Sequence, residues 1–555
     1  MAELVTELTE IEKITGLNVM DDLIYPSICL DSTSTAIPII LIKNGKKYLL
    51  CRAVEKACIE EKAIRGFGLV WYNPYFMFDD RKKISKVERD LATAIKQIIS
   101  EDSVYLHEDI SYGIYFHLKD NHVNSEIMSL RDLPALTLYR IPVKEVVDRC
   151  HSSFQEWKCL AEGALGLFDK DRQKKLKPYL EKPRITGFED LDRLMTKLGI
   201  NIICANTTID LQDLVGIPLR RVPKGILALY HLNAQEVYVA SPEELEFSHF
   251  QKVGVAEPGE SLIRKLYGEG RVGVGIDLPL SMAKALQTDL MNLKLATSVF
   301  RSWREGRSLE DLPYYLLGAQ ATREAVEGAL EFAEMKILAQ ENLSEIDIFH
   351  HYLRSLEEFP KKLGANVYFE KYFANLHATS RTLYPSVPGD FPVNSRTHCI
   401  RFDTGILAFD ERGFLKAATD IGRGMVLKEP GKKLYEILQK TIDDRIIPSL
   451  RPGRKGKDIY RQIIEELLEH ETKIKQMQLM HDHTSLEQVY KRNVGHLLGR
   501  QEPTSLNLTE TQDQELQEGM VGAIEFPWLF GDYAIGYEDM FLVAQEGGIN
   551  ISSGG

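Results

Sequence analysis

Apolar and polar positions alternate between strand-like and helix-like periods along the first half of the chain. TAIPIILIKNGKKYLLC, residues 35–51, reads as a hairpin: an apolar strand, an Asn-Gly turn and a second strand. KVERDLATAIKQIIS has apolar residues at helical spacing, and VYLHED is again strand-like. The plan recurs further on. FEDLDRLMTKLG predicts a helix, INIICAN a strand, ILALYHLNAQEVYVAS a second hairpin turning through Asn, SLIRKLYGEG a helix and RVGVGID a strand. Residues 282–308 carry few strand signals and read as a link between the second domain and the third. Beyond the link, residues 323–359 read as two amphipathic helices, with NLSE as an N-cap before the second. Residues 431–477 supply two more, broken at Pro452-Gly453. The tail INISSGG reads as a frayed end. Together these patterns predict a mixed α/β (α+β) chain with domains at 1–150, 151–290 and 291–555.

The length of 555 residues is ample for several cores, and 44% hydrophobic with 27% charged residues describes an ordinary globular composition. A net charge of −13 argues against nucleic acid or an anionic membrane as the main partner. No apolar run approaches the ~18–20 residues that span a bilayer, and the acidic start MAELVTELTEIEKITG lacks the regions of a signal peptide. Seven scattered cysteines without a CxxC fit a reducing compartment, so a cytoplasmic protein is expected.

The chemistry concentrates near the end of the chain. Residues 491–545 contain three apolar runs that each carry one metal-capable side chain: His496 in VGHLLG, Glu525 in GMVGAIEF and Glu538 in IGYEDMFLV. A carboxylate inside such a run is costly to bury without a cation or hydrogen bonds. Upstream stand Asp403 in CIRFDTGIL and Asp420 in AATDIGRGM. Taken singly, Asp403 also reads as a turn residue, Asp420 as a helix cap and His496 as a core histidine; the ordered set carries the metal reading. One imidazole with four carboxylates suits Mn(II), Fe(II), Co(II) or Zn(II). Four carboxylates exceed the need of one ion, and a carboxylate-bridged pair of ions would balance them. His481 and His483 in MHDHTS read as a solvated loop, and GEGRVGVG precedes a strand instead of joining a strand to a helix, unlike a phosphate loop. Trp71 and its aromatic neighbours in WYNPYFMF read as core.

The order Asp, Asp, His, Glu, Glu over roughly residues 310–545 resembles the pita-bread metallopeptidase superfamily, which includes methionine aminopeptidase, aminopeptidase P, prolidase and creatinase. The resemblance implies a C-terminal pita-bread domain preceded by two creatinase-N-like α/β domains, as in three-domain Xaa-Pro aminopeptidases. It implies two divalent metal ions, manganese first among the candidates. Asp403 would chelate one ion, Asp420 and Glu538 would bridge both, and His496 with Glu525 would hold the other. His377, in FANLHATS, matches the family's substrate-contacting His. A peptide or small amide-like substrate and, by analogy alone, a homodimer follow.

The chain departs from the family in two places. The family follows its metal His with a second, catalytic His in a stretch ending His-Glu-x-Pro, whereas GHLLGRQEPTS offers Gln501 before Glu502-Pro503. Gln donates a hydrogen bond but carries no proton, so ordinary peptidase activity would fall by roughly 10²-fold or more. Asp403 and Asp420 also stand 17 positions apart, wider than the family's tight hairpin, with Asp410 inside as a competing ligand. The leading expectation is a metal-dependent hydrolase resembling Xaa-Pro aminopeptidase. Its rivals are a diverged enzyme with a specialised small-molecule substrate and a catalytically silent binding protein.

Overall fold

A computed structural model describes residues 110–555 apart from 129–133, 287–289, 379–387, 491–492, 501–505, 531–532 and 554–555. Ahead of residue 110 it describes strands only. The chain forms two compact units, residues 1–146, 192–216 and 222–299 in the first, and residues 147–191, 217–221 and 300–555 in the second.

The first unit contains a five-stranded sheet and a seven-stranded sheet. In the smaller sheet Ile39–Ile42 and Lys47–Arg52 are not partners, so the expected first hairpin is absent. Gly68–Tyr72 lies between them, antiparallel to one and parallel to the other. GLVWY is itself a short apolar run of β-formers, and it takes the place that a local Asn-Gly pairing would have filled. The helix expected at 86–100 and the aromatics after Tyr72 lie outside the described residues. The second hairpin is present. Leu227–His231 pairs with Glu236–Ser241, and Asn233 takes the positive φ of 60° that the turn requires. Residues 282–308 are more than a link, because Leu293–Leu295 adds a parallel edge strand to the larger sheet.

The second unit is built on one antiparallel sheet. The strands of that sheet and its principal helices are, in chain order, helices α1 (Leu312–Leu338) and α2 (Glu345–Leu363), strands β1 (Val367–Ala378), β2 (Cys399–Asp410), β3 (Leu415–Ala418) and β4 (Ile421–Val426), helices α3 (Gly431–Lys440) and α4 (Gly456–Gln476), and strands β5 (Gly495–Leu497), β6 (Val521–Phe530), β7 (Tyr533–Leu542) and β8 (Ile549–Asn550). The sheet order is β1-β2-β4-β7-β6-β5, with β3 paired to β2 and β8 to β7. Two helices followed by three main strands occur twice in succession, which is the pita-bread arrangement.

Strand alternation assigns the two faces. In β2, Ile400, Phe402 and Ile406 enter a core with α1 and α2, while Arg401 and Asp403 point the other way. In β6, Ile524 and Phe526 join a core with Leu434, Leu438, Ile459 and Ile463 of α3 and α4, while Glu525 points away. Ser344 caps α2 in a reciprocal capping box with Asp347, as NLSE led us to expect.

The tail is docked, not frayed. β8 pairs with β7, Ile551 is fully buried, and Ser552 Oγ donates to Asp539 Oδ1 at 2.8 Å. Asp539 is a buried carboxylate that needs donors, and the tail supplies them.

Candidate metal centre

The side chains singled out in the sequence share one face of this sheet through an almost continuous cross-strand row. Asn375 of β1 faces Asp403 of β2, Asp403 faces Gly422 of β4, Gly422 faces Glu538 of β7, and Glu538 faces Glu525 of β6. Partners in register put their side chains on the same face. Gly422 therefore opens the row at its middle: a Cβ there would stand 3.1 Å from Glu538 Cβ and 3.4 Å from its Oε2.

Asp403 is in mid-strand and is not a turn residue, and Asp420 lies between two strands and caps no helix. The wide spacing between them is absorbed by a longer hairpin: β2 runs on to Asp410, and β3 returns along it before β4 begins. Asp410 closes that hairpin, accepting from Phe414 N at 2.9 Å and Arg412 Nη2 at 2.8 Å, and is engaged there instead of serving as a competing ligand. Asp420 is positioned through its neighbour. Thr419 Oγ1 lies 2.9 Å from Thr322 Oγ1 of α1 and accepts from Ile406 N at 3.0 Å. Gly318 lets the helix approach, since a Cβ there would meet Thr419 Cγ2 at 2.9 Å.

His496 sits on β5, whose register places it beside Ala523, two residues from Glu525 on the same face. Its Nδ1 lies 3.2 Å from Leu497 O, which favours the tautomer that leaves Nε2 as a lone-pair donor. Nε2 is 3.4 Å from Asp420 Oδ2. Asp420, His496 and Glu538 are all buried, and each offers a ligand atom within 4.8 Å of the others'. Glu538 Oε1 is buried and makes no hydrogen bond. Burial, then the charges of Asp420, Glu525 and Asp403, hold the Glu538 carboxyl well above the usual carboxylate range. Glu525 is raised too, by burial first and by Asp403. A cation would relieve both, and an O,O,N donor set with an orphaned carboxylate oxygen fits a hard or borderline divalent ion.

Asp403 and Glu525 are engaged otherwise. Asp403 Oδ2 accepts from Arg401 Nη2 at 2.5 Å and from Asn375 Nδ2 at 3.3 Å. Glu525 Oε1 accepts from Asn493 Nδ2 at 3.0 Å. His377 is fully buried, faces Arg401 in register and shares this side of the sheet. Gln501 and Glu502 lie outside the described residues. His481 and His483 are exposed, as expected.

Sequence reasoning missed Arg401, whose signal was its position two residues before Asp403 on a strand. It also missed Arg500, directly after GHLLG. Arg500 is 1% exposed, and its Nε donates to Asp311 Oδ2 at 2.6 Å. Glu310, beside Asp311, has its Oε1 2.6 Å from His151 Nδ1. This buried cluster ties the segment after the metal-side His496 to the start of α1.

Residues 386–545 match the sequence model described as Metallopeptidase family M24. No curated protein matches the chain in sequence. Among solved structures, the chain is similar to a prolidase from Pyrococcus horikoshii OT3 at 18% identity, covering 66% of this chain and 98% of that one with a TM-score of 0.48. It is similar to an Xaa-Pro dipeptidase from Bacillus anthracis at 16% identity, covering 66% and 98% with a TM-score of 0.47. An X-Pro aminopeptidase from Thermotoga maritima MSB8 is 14% identical, with 66% and 97% covered and a TM-score of 0.45.

Proposed function

We propose that the second unit binds a divalent cation, manganese being the first candidate, and hydrolyses an amide bond in a peptide or small amide-like substrate. The observation that carries this reading is the convergence of buried Asp420, His496 and Glu538 within 4.8 Å on a shared sheet face. The cation, when bound, would acidify a water and polarise the amide carbonyl. Asp420 and Glu538 would bind the ion through carboxylate oxygens, with His496 Nε2 as the nitrogen donor, and Glu525 stands across from Glu538 to orient or accept a proton. His377, two residues along from Asn375 on the same face, would donate a hydrogen bond to the carbonyl oxygen as it gains charge.

Among the alternatives, one observation favours a diverged enzyme over a standard aminopeptidase. Asp403, the expected chelator, is paired with Arg401. The test is hydrolysis of a panel of Xaa-Pro dipeptides, longer Xaa-Pro peptides and small N-acyl amides by protein supplied with Mn(II), with metal-free protein beside it. Metal-dependent release from any member supports the hydrolase. No release from the whole panel by metal-loaded protein overturns it.

A further inference from the structure

We propose that the Arg401 guanidinium stands where a second cation would, so that the centre holds one divalent ion among Asp420, His496 and Glu538. The inference rests on the metal reading above and specifies it.

Three observations support it. First, Arg401 is 6% exposed and its charge is permanent, and its Nη2 donates to Asp403 Oδ2 at 2.5 Å while Asn375 Nδ2 approaches the same oxygen at 3.3 Å. That oxygen is engaged by two donors. Second, the sheet is shaped around the arginine. Arg401 faces Gly424 on the neighbouring strand. A Cβ on Gly536 would stand 2.6 Å from Arg401 Nε and 3.0 Å from its Cδ. Any side chain at Gly536 would therefore displace the guanidinium. Gly536 lies two residues before Glu538 on the same strand face, so the arginine runs across the floor of the site and is not swung out to solvent. Third, among the described residues the metal-capable atoms that come together are those of Asp420, His496 and Glu538.

A guanidinium differs from a metal ion in what it permits. It neutralises charge and fixes a carboxylate, but it accepts no lone pair and cannot acidify a bound water. Arg401 is thus a positioning residue: it holds Asp403 and leaves the chemistry to a single ion.

The experiment is metal stoichiometry, by elemental analysis after Mn(II) saturation and desalting, with the Mn(II) paramagnetic resonance spectrum as a second readout. The native chain should hold one ion per chain with the signal of an isolated ion. Arg401→Gln should hold two and show an exchange-coupled pair, whereas Arg401→Lys should stay at one. Asp403→Asn, should Arg401→Gln fail to fold, should keep the single ion. Two ions in the native chain, or one in both the native chain and Arg401→Gln, would overturn the role of Arg401 and leave the metal reading standing. Loss of the ion in Asp403→Asn would overturn it equally. No ion in the native chain would remove the metal reading itself, and this inference with it.

Discussion

Arg401 and Asp403 stand two residues apart on one strand, and the guanidinium of the first donates to the carboxylate of the second across 2.5 Å. Both are buried, and both lie on the face that gathers Asp420, His496 and Glu538. The pair therefore takes one carboxylate out of a set of four and gives the face a built-in positive charge. Gly536→Ala tests how firmly the pair is packed. The added methyl meets Arg401 Nε at 2.6 Å, so the variant should lose roughly 1–3 kcal/mol of stability as an overpacked site does. Urea denaturation measures it, and an unchanged midpoint would show that the arginine moves aside freely.

Glu538→Gln separates ligation from folding. The native carboxyl is held high by burial and by its acidic neighbours, so a neutral isostere should leave the metal-free protein at least as stable. The same change removes an anionic ligand, and the Tm increase that Mn(II) gives the native chain should largely disappear. Thermal melts with and without Mn(II) check both halves. A metal-free Glu538→Gln protein that melts well below the native one would contradict the first.

On the opposite side of the sheet Arg423 fastens β4 to β7, where the strands share a single register pair, Gly422 with Glu538. Its Nη2 donates to Asp539 at 2.5 Å and its Nη1 to Glu538 O at 2.6 Å. Arg423→Met leaves Asp539 buried without its cation and should cost about 3–5 kcal/mol. Denaturant titration is the measurement, and a cost under about 1 kcal/mol would count against this fastening role.

Asp443 gives the fold a pH dependence. Burial, then the charge of Asp539, raises its carboxyl to about 8. Tyr537 Oη donates to it at 2.8 Å and Asn550 Nδ2 at 3.0 Å. Because the folded value lies above the unfolded value of about 3.9, the folded state holds a proton that the unfolded state has released. The contribution of Asp443 is therefore complete below about pH 4 and is lost as pH rises toward 8. Asp539 is shifted the other way, with Arg423 and the tail holding it ionised against burial, so its own contribution is lost only in acid. Unfolding free energy should fall by on the order of 3 kcal/mol between pH 5 and pH 8, and Asp443→Asn should flatten that slope. An equal slope in the variant would assign the dependence elsewhere.

The candidate site was legible in the sequence because a carboxylate in an apolar strand is costly to bury unless a cation or hydrogen bonds compensate it. Glu525 and Glu538 are cross-strand partners; Ile524 and Phe526 on either side of Glu525, and Tyr537 before Glu538, enter the opposite core. The helices of the second unit were legible from period and caps, Ser344 with Asp347 foremost. The first hairpin was misread because Asn-Gly is a local signal, while strand order is set by which apolar run packs best, and Gly68–Tyr72 came between. The tail was misread because INISSGG is polar; its value lies in Ser552 and Asn550 as donors to a buried Asp539, a partner invisible without the fold. Arg401 was passed over for a related reason. An arginine two residues from a candidate ligand looks like surface charge until the register shows which face it shares.

The most direct test of the whole account is anomalous diffraction from crystals of the native chain grown with Mn(II). The account predicts one peak per chain, coordinated by Asp420, His496 and Glu538, with Arg401 still bound to Asp403. A face without a peak, or a second ion bound to Asp403 with Arg401 displaced, would contradict it.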